Sequence, residues 1–123
     1  MMATPFGFLL VGKVPLTLYR RGLPTNVRGR LEDPEPIEVV IKANVQPVLK
    51  STDVRMLPEG DRSKATLMLF SNAEIRMQRE GVDGWQADTF FWEGVEYEVM
   101  KSISYKMGVL DHYEAACMRK PLT

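Results

Sequence analysis

The chain has 123 residues, of which 45% are hydrophobic, and its 16 basic and 16 acidic side chains leave no formal net charge. This length and composition predict one folded, soluble domain and exclude an intrinsically disordered chain. The zero net charge gives no electrostatic basis for binding nucleic acid through the whole surface. The single cysteine, Cys117, excludes an intrachain disulfide and agrees with a reducing compartment.

Residues 1–13, "MMATPFGFLLVGK", contain an apolar patch from Phe6 to Val11. The patch lacks a preceding basic region and is too short for a signal peptide or a membrane span. We therefore expect an N-terminal extension, as a strand or an arm that docks on an apolar surface, with no membrane as partner. Residues 14–123 are expected to form a single β-domain.

The first predicted strand is "VPLTLYRR", which places Leu16, Leu18 and Arg20 on one face. The next segment, "GLPTNVRGRLEDPEPIE", carries three prolines and predicts a loop or a loose hairpin. Its charge changes from basic to acidic along the chain, from Arg28 and Arg30 to Glu32, Asp33 and Glu35.

Residues 37–45, "IEVVIKANV", alternate clearly and predict a strand with one buried and one solvated face. The odd positions, beginning with Ile37, are expected to be buried. The even positions, which include Glu38, Lys42 and Asn44, are expected to be solvated.

Residues 48–62 are predicted to form a long connector between two strands. Within it, "LKSTDVRML" suits about two turns of helix, because Ser51 or Thr52 can cap its start and Pro58 and Gly60 end it. Most connections run about four to six residues, so this length favours an interaction or gating loop over a simple turn. The polar and charged residues that would carry such an interaction or gating role are Ser51, Asp53, Arg55, Glu59, Asp61 and Arg62.

The second half of the chain predicts a central strand in "ATLMLFS", a possible strand in "AEIRMQR" and a turn in "EGVDG". A hairpin then turns at Glu93 and Gly94, and "VLDHYEAACMRK" favours a final strand over a helix. The long strand after the turn is expected to place one set of residues on a single face, with Lys101 as an exception: Val95, Tyr97, Val99, Ile103 and Tyr105. The fold class predicted is mainly β, a small antiparallel barrel or sandwich with a long connector loop that carries a short helix.

No pattern in the sequence predicts an enzyme, a cofactor or a metal site. His112 and Cys117 lie five residues apart, so on a strand they point to opposite faces and can form neither a metal site nor a nucleophile pair. Glu96 and Glu98 share a strand face that is expected to be solvated, and Glu59 and Asp61 lie in the connector without catalytic partners.

Aromatic residues gather late in the chain, at Trp85, Phe90, Phe91, Trp92, Tyr97 and Tyr105. Three consecutive aromatic residues cannot all face one core, so at least one is expected to pack on a second surface, a loop or a partner. Charge and aromatic content together predict a subunit interface at Arg28, Arg30, Glu32, Asp33, Trp85, Trp92 and His112.

The order of these segments resembles the small head–tail connector proteins of tailed bacteriophages, which are known as head-closure, head-completion, stopper or neck proteins. Three stretches carry the resemblance: residues 43–47 ("ANVQP"), residues 57–62 ("LPEGDR") and residues 88–119. Within the last stretch, "WEGVEYEV" resembles the family's pattern of an aromatic residue, a glycine turn and a strand with Tyr and Val. Residues 1–13 depart from the family pattern.

The resemblance implies a β-barrel protomer in a homo-oligomeric ring of six or twelve copies, located in the neck of the virion and assembled in the host cytoplasm. Its partners would be a portal-side adaptor protein and a tail terminator or tail tube protein. The ring would close the filled head, retain DNA and offer the tail its attachment surface, while packaged double-stranded DNA passes through the lumen without sequence-specific contact.

Other functions are compatible with the same pattern. One is a tail terminator or another structural protein of the tail tube or baseplate. Another is a free small-barrel module that binds a peptide or single-stranded nucleic acid through its aromatic cluster. The least favoured is a hydrolase that uses Glu59 and Asp61.

Overall fold

A computed structural model describes residues 12–48, 57, 64–106 and 111–121. Its strands are β1 (Val14–Arg20), β2 (Thr25–Val27), β3 (Arg30–Glu32), β4 (Ile37–Pro47), β5 (Leu67–Ser71), β6 (Thr89–Trp92), β7 (Val95–Tyr105) and β8 (His112–Arg119).

Six strands form a closed barrel in the order β1-β4-β5-β8-β7-β6, and β2 and β3 form a separate two-stranded sheet. Every pair of neighbouring strands is antiparallel. The pairing of β1 with β6, at Tyr19 and Thr89, closes the barrel. This architecture confirms the predicted antiparallel β-barrel, including the strand predicted at the end of the chain. The short helix predicted in the connector lies outside the described residues.

Alternating positions on the barrel strands point inward and form the core. Leu16 and Leu18 of β1 lie opposite Ile41 and Val39 of β4, and Phe90 of β6 stacks on Tyr97 of β7 with ring centroids 5.5 Å apart. The buried members of this cluster are Leu16, Leu18, Ile41, Ala43, Leu67, Leu69, Ile75, Phe90, Val99, Ala115 and Cys117. The predicted alternation in β1 is therefore confirmed.

Strand β4 departs from its predicted alternation at both ends. Ile37, expected to be buried, is 69% exposed, because it lies at the first residue of the strand, opposite Arg20 at the last residue of β1. Asn44, expected to be solvated, is buried opposite Phe70 of β5, and its Oδ1 accepts a hydrogen bond from Gln46 Nε2 at 3.0 Å. Its neighbour Ala43 points into the core, so Asn44 lies on the outward face of β4 and is nevertheless covered there.

A β-bulge in β7 makes the single face predicted for the long strand wrong. Val99 pairs with Cys117, but Lys101 pairs with the next residue along β8, Ala116, so Met100 is the extra residue. A bulge shifts the alternation by one position. Beyond it, Ile103 and Tyr105 share the face of Glu114 and His112, whereas Val99 faces the core. The bulge also explains why a lysine interrupts the predicted apolar face, because Lys101 pairs with Ala116 and points outward.

The possible strand in "AEIRMQR" is also not formed. Residues 72–88 run irregularly between β5 and β6, and Arg79 makes only an isolated bridge with Trp85. Ile75 is nevertheless buried in the barrel core, and Met77 packs against it. The expected turn in "EGVDG" is present, and the N–H of Gly84 donates to the carbonyl of Gly81 at 3.0 Å.

A second, smaller apolar cluster lies on the outside of the barrel. Leu57 from the connector packs with Ala65, Met68 and Ala116, all buried. Because Met68 and Ala116 pair directly across β5 and β8, they present a continuous outer surface that Leu57 covers. This contact explains why β5 is apolar on both faces, as its sequence predicted.

The strand directions place the connecting segments at two different ends of the barrel. At one end lie β2 and β3, residues 72–88 and the start of β8; we call it the Trp85 end. At the other lie the start of β1, the Glu93–Gly94 turn, the end of β8 and the segment between β4 and β5; we call it the connector end. The two ends therefore present different chemistry to any neighbour.

Candidate functional site

The Trp85 end is built around a buried carboxylate that links three parts of the chain. Oδ2 of Asp88 accepts hydrogen bonds from the main-chain N–H of Arg76 at 2.9 Å and from Nε of Arg20 at 3.2 Å. The N–H of Asp88 donates to the carbonyl of Arg76, also at 2.9 Å. Asp88 thereby fixes residues 72–88 to the end of β1.

Burial is the main influence on the protonation of Asp88 in this network. The Asp88 side chain has no exposed area, and its Oδ1 has no hydrogen-bond partner. Burial raises the pKa of Asp88 above its ordinary value, although the Arg76 N–H and the Arg20 guanidinium act to lower it. The sequence places Arg20 on an otherwise apolar strand face, and a charge there needs a buried partner.

Around Asp88 the network continues outward to the surface. Arg20 also donates to the carbonyl of Glu74 and lies 3.7 Å from its carboxylate, and Nε of Arg76 donates to the same carboxylate at 3.1 Å. Three charged side chains therefore surround Asp88 and hold the irregular segment in place. Their role in the fold is structural, because each is paired within the protein.

Trp85 is held by backbone and side-chain contacts within the same segment. Its Nε1 donates to the carbonyl of Met77 at 2.9 Å, and its main chain exchanges two hydrogen bonds with Arg79. The guanidinium groups of Arg76 and Arg79 lie 4.3 and 5.0 Å from its ring centroid, within cation–π range. Trp85 is thus half-buried, and its ring and its N–H already contact Arg76, Arg79 and Met77 of the same segment.

An open groove of about 340 Å³ lies beside Trp85. It is lined by residues of the 74–79 segment and by Ser102, Ser104 and Tyr113 from the ends of β7 and β8. The hydroxyl of Ser102 is buried without a hydrogen-bond partner. The bulge in β7 produces this arrangement, since it turns Ser102 inward opposite Ala115.

The predicted interface residues lie in separate places. Arg28, Arg30 and Glu32 are exposed on the β2–β3 hairpin, and Asp33 accepts a hydrogen bond from Gln86 at 3.1 Å. Trp92 is half-buried and packs against the barrel core. The structure therefore does not bring the predicted set together on one surface, and its role as an interface stays a prediction.

His112 lies at the start of β8 and points outward, opposite to the buried Cys117, as predicted. Its ring stacks on Tyr105 with centroids 5.1 Å apart, and its Nε2 lies 3.6 Å from the carboxylate of Glu114. Burial raises the pKa of the Cys117 thiol, which disfavours the thiolate that a nucleophile or a metal ligand requires.

Phe91 is the functional candidate that the sequence analysis did not select. Of the three consecutive aromatic residues, Phe90 is fully buried, Trp92 is half-buried and Phe91 is 54% exposed. The rings of Phe91 and Tyr19 meet edge-to-face, with their centroids 6.0 Å apart. Phe91 also lines an open groove of about 340 Å³ together with residues of β1. Alternation predicted that at least one of the three packs outside the core; the pairing of β6 with β7 identifies Phe91 as that residue.

The connector enters and leaves the barrel at one place. The N–H of Val48 donates to the carbonyl of Thr66 at 3.0 Å, and the N–H of Thr66 donates to the carbonyl of Cys117 at 2.8 Å. The segment between Val48 and Thr66 is therefore an excursion whose ends are already joined. The residues predicted to carry an interaction or gating role in the connector, Ser51, Asp53, Arg55, Glu59, Asp61 and Arg62, lie outside the described residues.

Within the described part of the chain, no group of three or more His, Cys, Asp or Glu side chains is placed to hold a metal ion. The same part contains no helix long and apolar enough to cross a membrane. Comparison with protein-family models and with curated proteins gives no match.

Proposed function

We propose that this chain is a structural virion protein that forms a ring in the neck of a tailed bacteriophage, between the portal-side adaptor and the tail. The resemblance in segment order motivates the proposal. The observation that carries it is the connector between Val48 and Thr66. These two residues are hydrogen-bonded to each other, and Leu57 of the connector packs on the outside of the barrel.

The two ends of the barrel support a position between two different neighbours. The Trp85 end is closed by residues 72–88 and the Asp88 network, whereas the connector end holds the connector and the start of the first strand. A neck protein meets a head component on one side and a tail component on the other. A barrel whose two ends differ in structure fits that requirement.

The aromatic residues support an assembly protein over a free binding module. A stacking platform for peptide or single-stranded nucleic acid needs several exposed rings on one surface. Here Phe90 and Tyr97 stack in the core, and Trp85 is flanked by two arginines. The aromatic cluster is therefore largely used by the barrel itself.

The first test is the location of the protein. In the phage that encodes this chain, we expect mass spectrometry of purified virions to detect it, and cryo-electron microscopy to show its barrel as a ring between portal and tail. Absence from virions, together with a purified protein that stays monomeric in the presence of portal and adaptor, would contradict the proposal.

The second test addresses the connector. Because Val48 and Thr66 are already hydrogen-bonded, residues 49–65 can be replaced by a two-residue Asn-Gly turn without separating β4 from β5. We expect heads that fill but release DNA, or tails that fail to attach, with infectious titre reduced by orders of magnitude.

Leu57→Ser is the matched variant, since it keeps the length of the connector but weakens its contact with Met68 and Ala116. If both variants lose titre, the function of the connector depends on its being packed against the barrel through Leu57. Normal titre from a folded, shortened chain would rule out DNA retention by the connector while leaving the ring itself in place.

A further inference from the structure

The β2–β3 hairpin is formed without any burial of its own. All six of its strand residues are exposed, and the strands are joined by a two-residue turn in which Arg28 and Gly29 both have positive φ, 53° and 83°. An isolated two-stranded hairpin is at best marginally stable in water. A hairpin whose strand residues are all exposed is well suited to stabilisation by a partner.

The tip of this hairpin is both apolar and basic. Val27 is 42% exposed and Leu31 is 76% exposed, and they flank Arg28 and Arg30. No ion pair within the described residues involves either arginine. We call Val27, Arg28, Arg30 and Leu31 the hairpin tip.

The outer side of β4, β1, β6 and β7 carries the complementary chemistry. Thr17 pairs with Val40, which is 68% exposed, and Tyr19 contacts the exposed Phe91. Carboxylates border these residues on both sides, because Glu38 pairs with Tyr19 and Glu98 with Thr89. Glu96, opposite Phe91, already lies 3.9 Å from Nζ of Lys120, so Glu38 and Glu98 are the carboxylates open to a partner. We call the surface formed by Thr17, Tyr19, Val40, Phe91, Glu38, Glu96 and Glu98 the Phe91 face.

We propose that the hairpin tip of one copy docks on the Phe91 face of a second copy. The apolar residues of the tip would cover Phe91 and Val40, and its two arginines would lie against the bordering carboxylates. Tip and face are different surfaces, so the contact is heterologous and repeats head to tail, as a ring requires. The inference rests on the proposed function only in taking a second copy as the partner.

Charge reversal on each surface tests the contact directly. The tip variant carries Arg28→Glu and Arg30→Glu, and the face variant carries Glu38→Arg and Glu98→Arg; all four positions are at least partly exposed. Light scattering and native mass spectrometry should show the wild type assembling as its concentration rises to about 1 mM. Each variant alone should stay monomeric or bind at least about tenfold more weakly.

Mixing the two variants is the decisive measurement. The acidic tip of the tip variant then meets the basic face of the face variant, and the remaining tip and face keep their original charges and still match. We expect the mixture to recover assembly with the two variants alternating, and a single protein with all four substitutions to assemble by itself. Circular dichroism and thermal unfolding check that each variant is folded.

An apolar substitution gives an independent readout that does not depend on charge. Leu31→Ser should weaken assembly, whereas Val82→Ser should not, because Val82 is equally apolar, fully exposed and located in the turn of residues 80–84. Equal effects of the two substitutions would contradict the proposed contact.

A wild type that stays monomeric to about 1 mM, or a mixture that fails to recover assembly, would overturn the interface. These outcomes are distinct from failure of the proposed function. If mixing restores assembly but virions lack the protein, the interface is supported and the role in the neck is not. A ring in virions with no effect of charge reversal would leave the neck role without this interface.

Discussion

Asp88→Ala is expected to lower the free energy of unfolding by about 3–5 kcal/mol, because it breaks a buried ion pair from one side. The substitution leaves the Arg20 guanidinium without the carboxylate that it contacts at 3.2 Å, and it removes the acceptor of the Arg76 N–H. Denaturant or thermal unfolding of the purified protein measures the loss. Asp83→Ala, in the exposed turn, is the matched control and should remain within about 0.5 kcal/mol of the wild type.

Asp88→Asn separates the hydrogen bonds from the charge. One oxygen of Asp88 accepts both hydrogen bonds, so an amide oxygen in the same place can accept them. The expected loss is about 1–3 kcal/mol, smaller than that of Asp88→Ala, because the two hydrogen bonds become neutral and the amide N–H2 takes the place of Oδ1, which has no partner. A loss as large as that of Asp88→Ala would mean that the negative charge, and not the acceptor, holds residues 72–88 in place.

The pH dependence of stability follows from the raised pKa of Asp88. The unfolded chain releases the proton near the ordinary value of 3.8, whereas the folded chain retains it to higher pH, so the folded state binds more protons in this window. Wild-type stability should therefore fall relative to Asp88→Asn as pH rises above 3.8, and the difference should level off above the folded pKa. Parallel stability curves of the two proteins would contradict the raised pKa.

The second large effect distinguishes two adjacent phenylalanines. Phe90→Ala should destabilise the protein by about 3–5 kcal/mol, because Phe90 is fully buried and stacks on Tyr97 inside the barrel. Phe91→Ala should cost about 1 kcal/mol or less, since it removes an exposed ring and one edge-to-face contact with Tyr19.

Both proteins should be unfolded at a concentration at which the chain is monomeric, so that association does not add to stability. Phe91→Ala should then affect assembly more than folding. Comparable destabilisation by the two substitutions would show that the β6–β7 register, which places Phe91 opposite Glu96, is not the one in solution.

Much of the barrel could be predicted from local sequence because its strands follow simple rules. The Glu93–Gly94 turn was predictable because a residue pair that contains glycine between two strand patterns is typical of a two-residue turn, and both residues indeed adopt positive φ, 51° and 79°. Alternation along β1 placed Leu16 and Leu18 in the core correctly. The charge pattern of Arg28 and Arg30 also selected a hairpin that proves exposed.

The candidate site was harder to predict because its parts are distant in the chain. Asp88 and Arg20 are 68 residues apart in the chain, and no local pattern near either residue predicts that they pair. The choice of Trp92 over Phe91 missed the exposed ring among the three consecutive aromatic residues, because alternation states only that neighbours point oppositely and does not say which points inward. That choice depends on the register of β6 against β7.

The sequence alone determined that this protein is built from short antiparallel strands, since alternation and turn residues act within a few positions of each other. Only the tertiary structure decided how those strands close. The single Tyr19–Thr89 pairing that completes the barrel, the bulge at Met100 and the Leu57 contact on the outer surface each join residues that meet only after folding. Packing and hydrogen bonding over such separations depend on the whole chain, and local residue preferences cannot specify them.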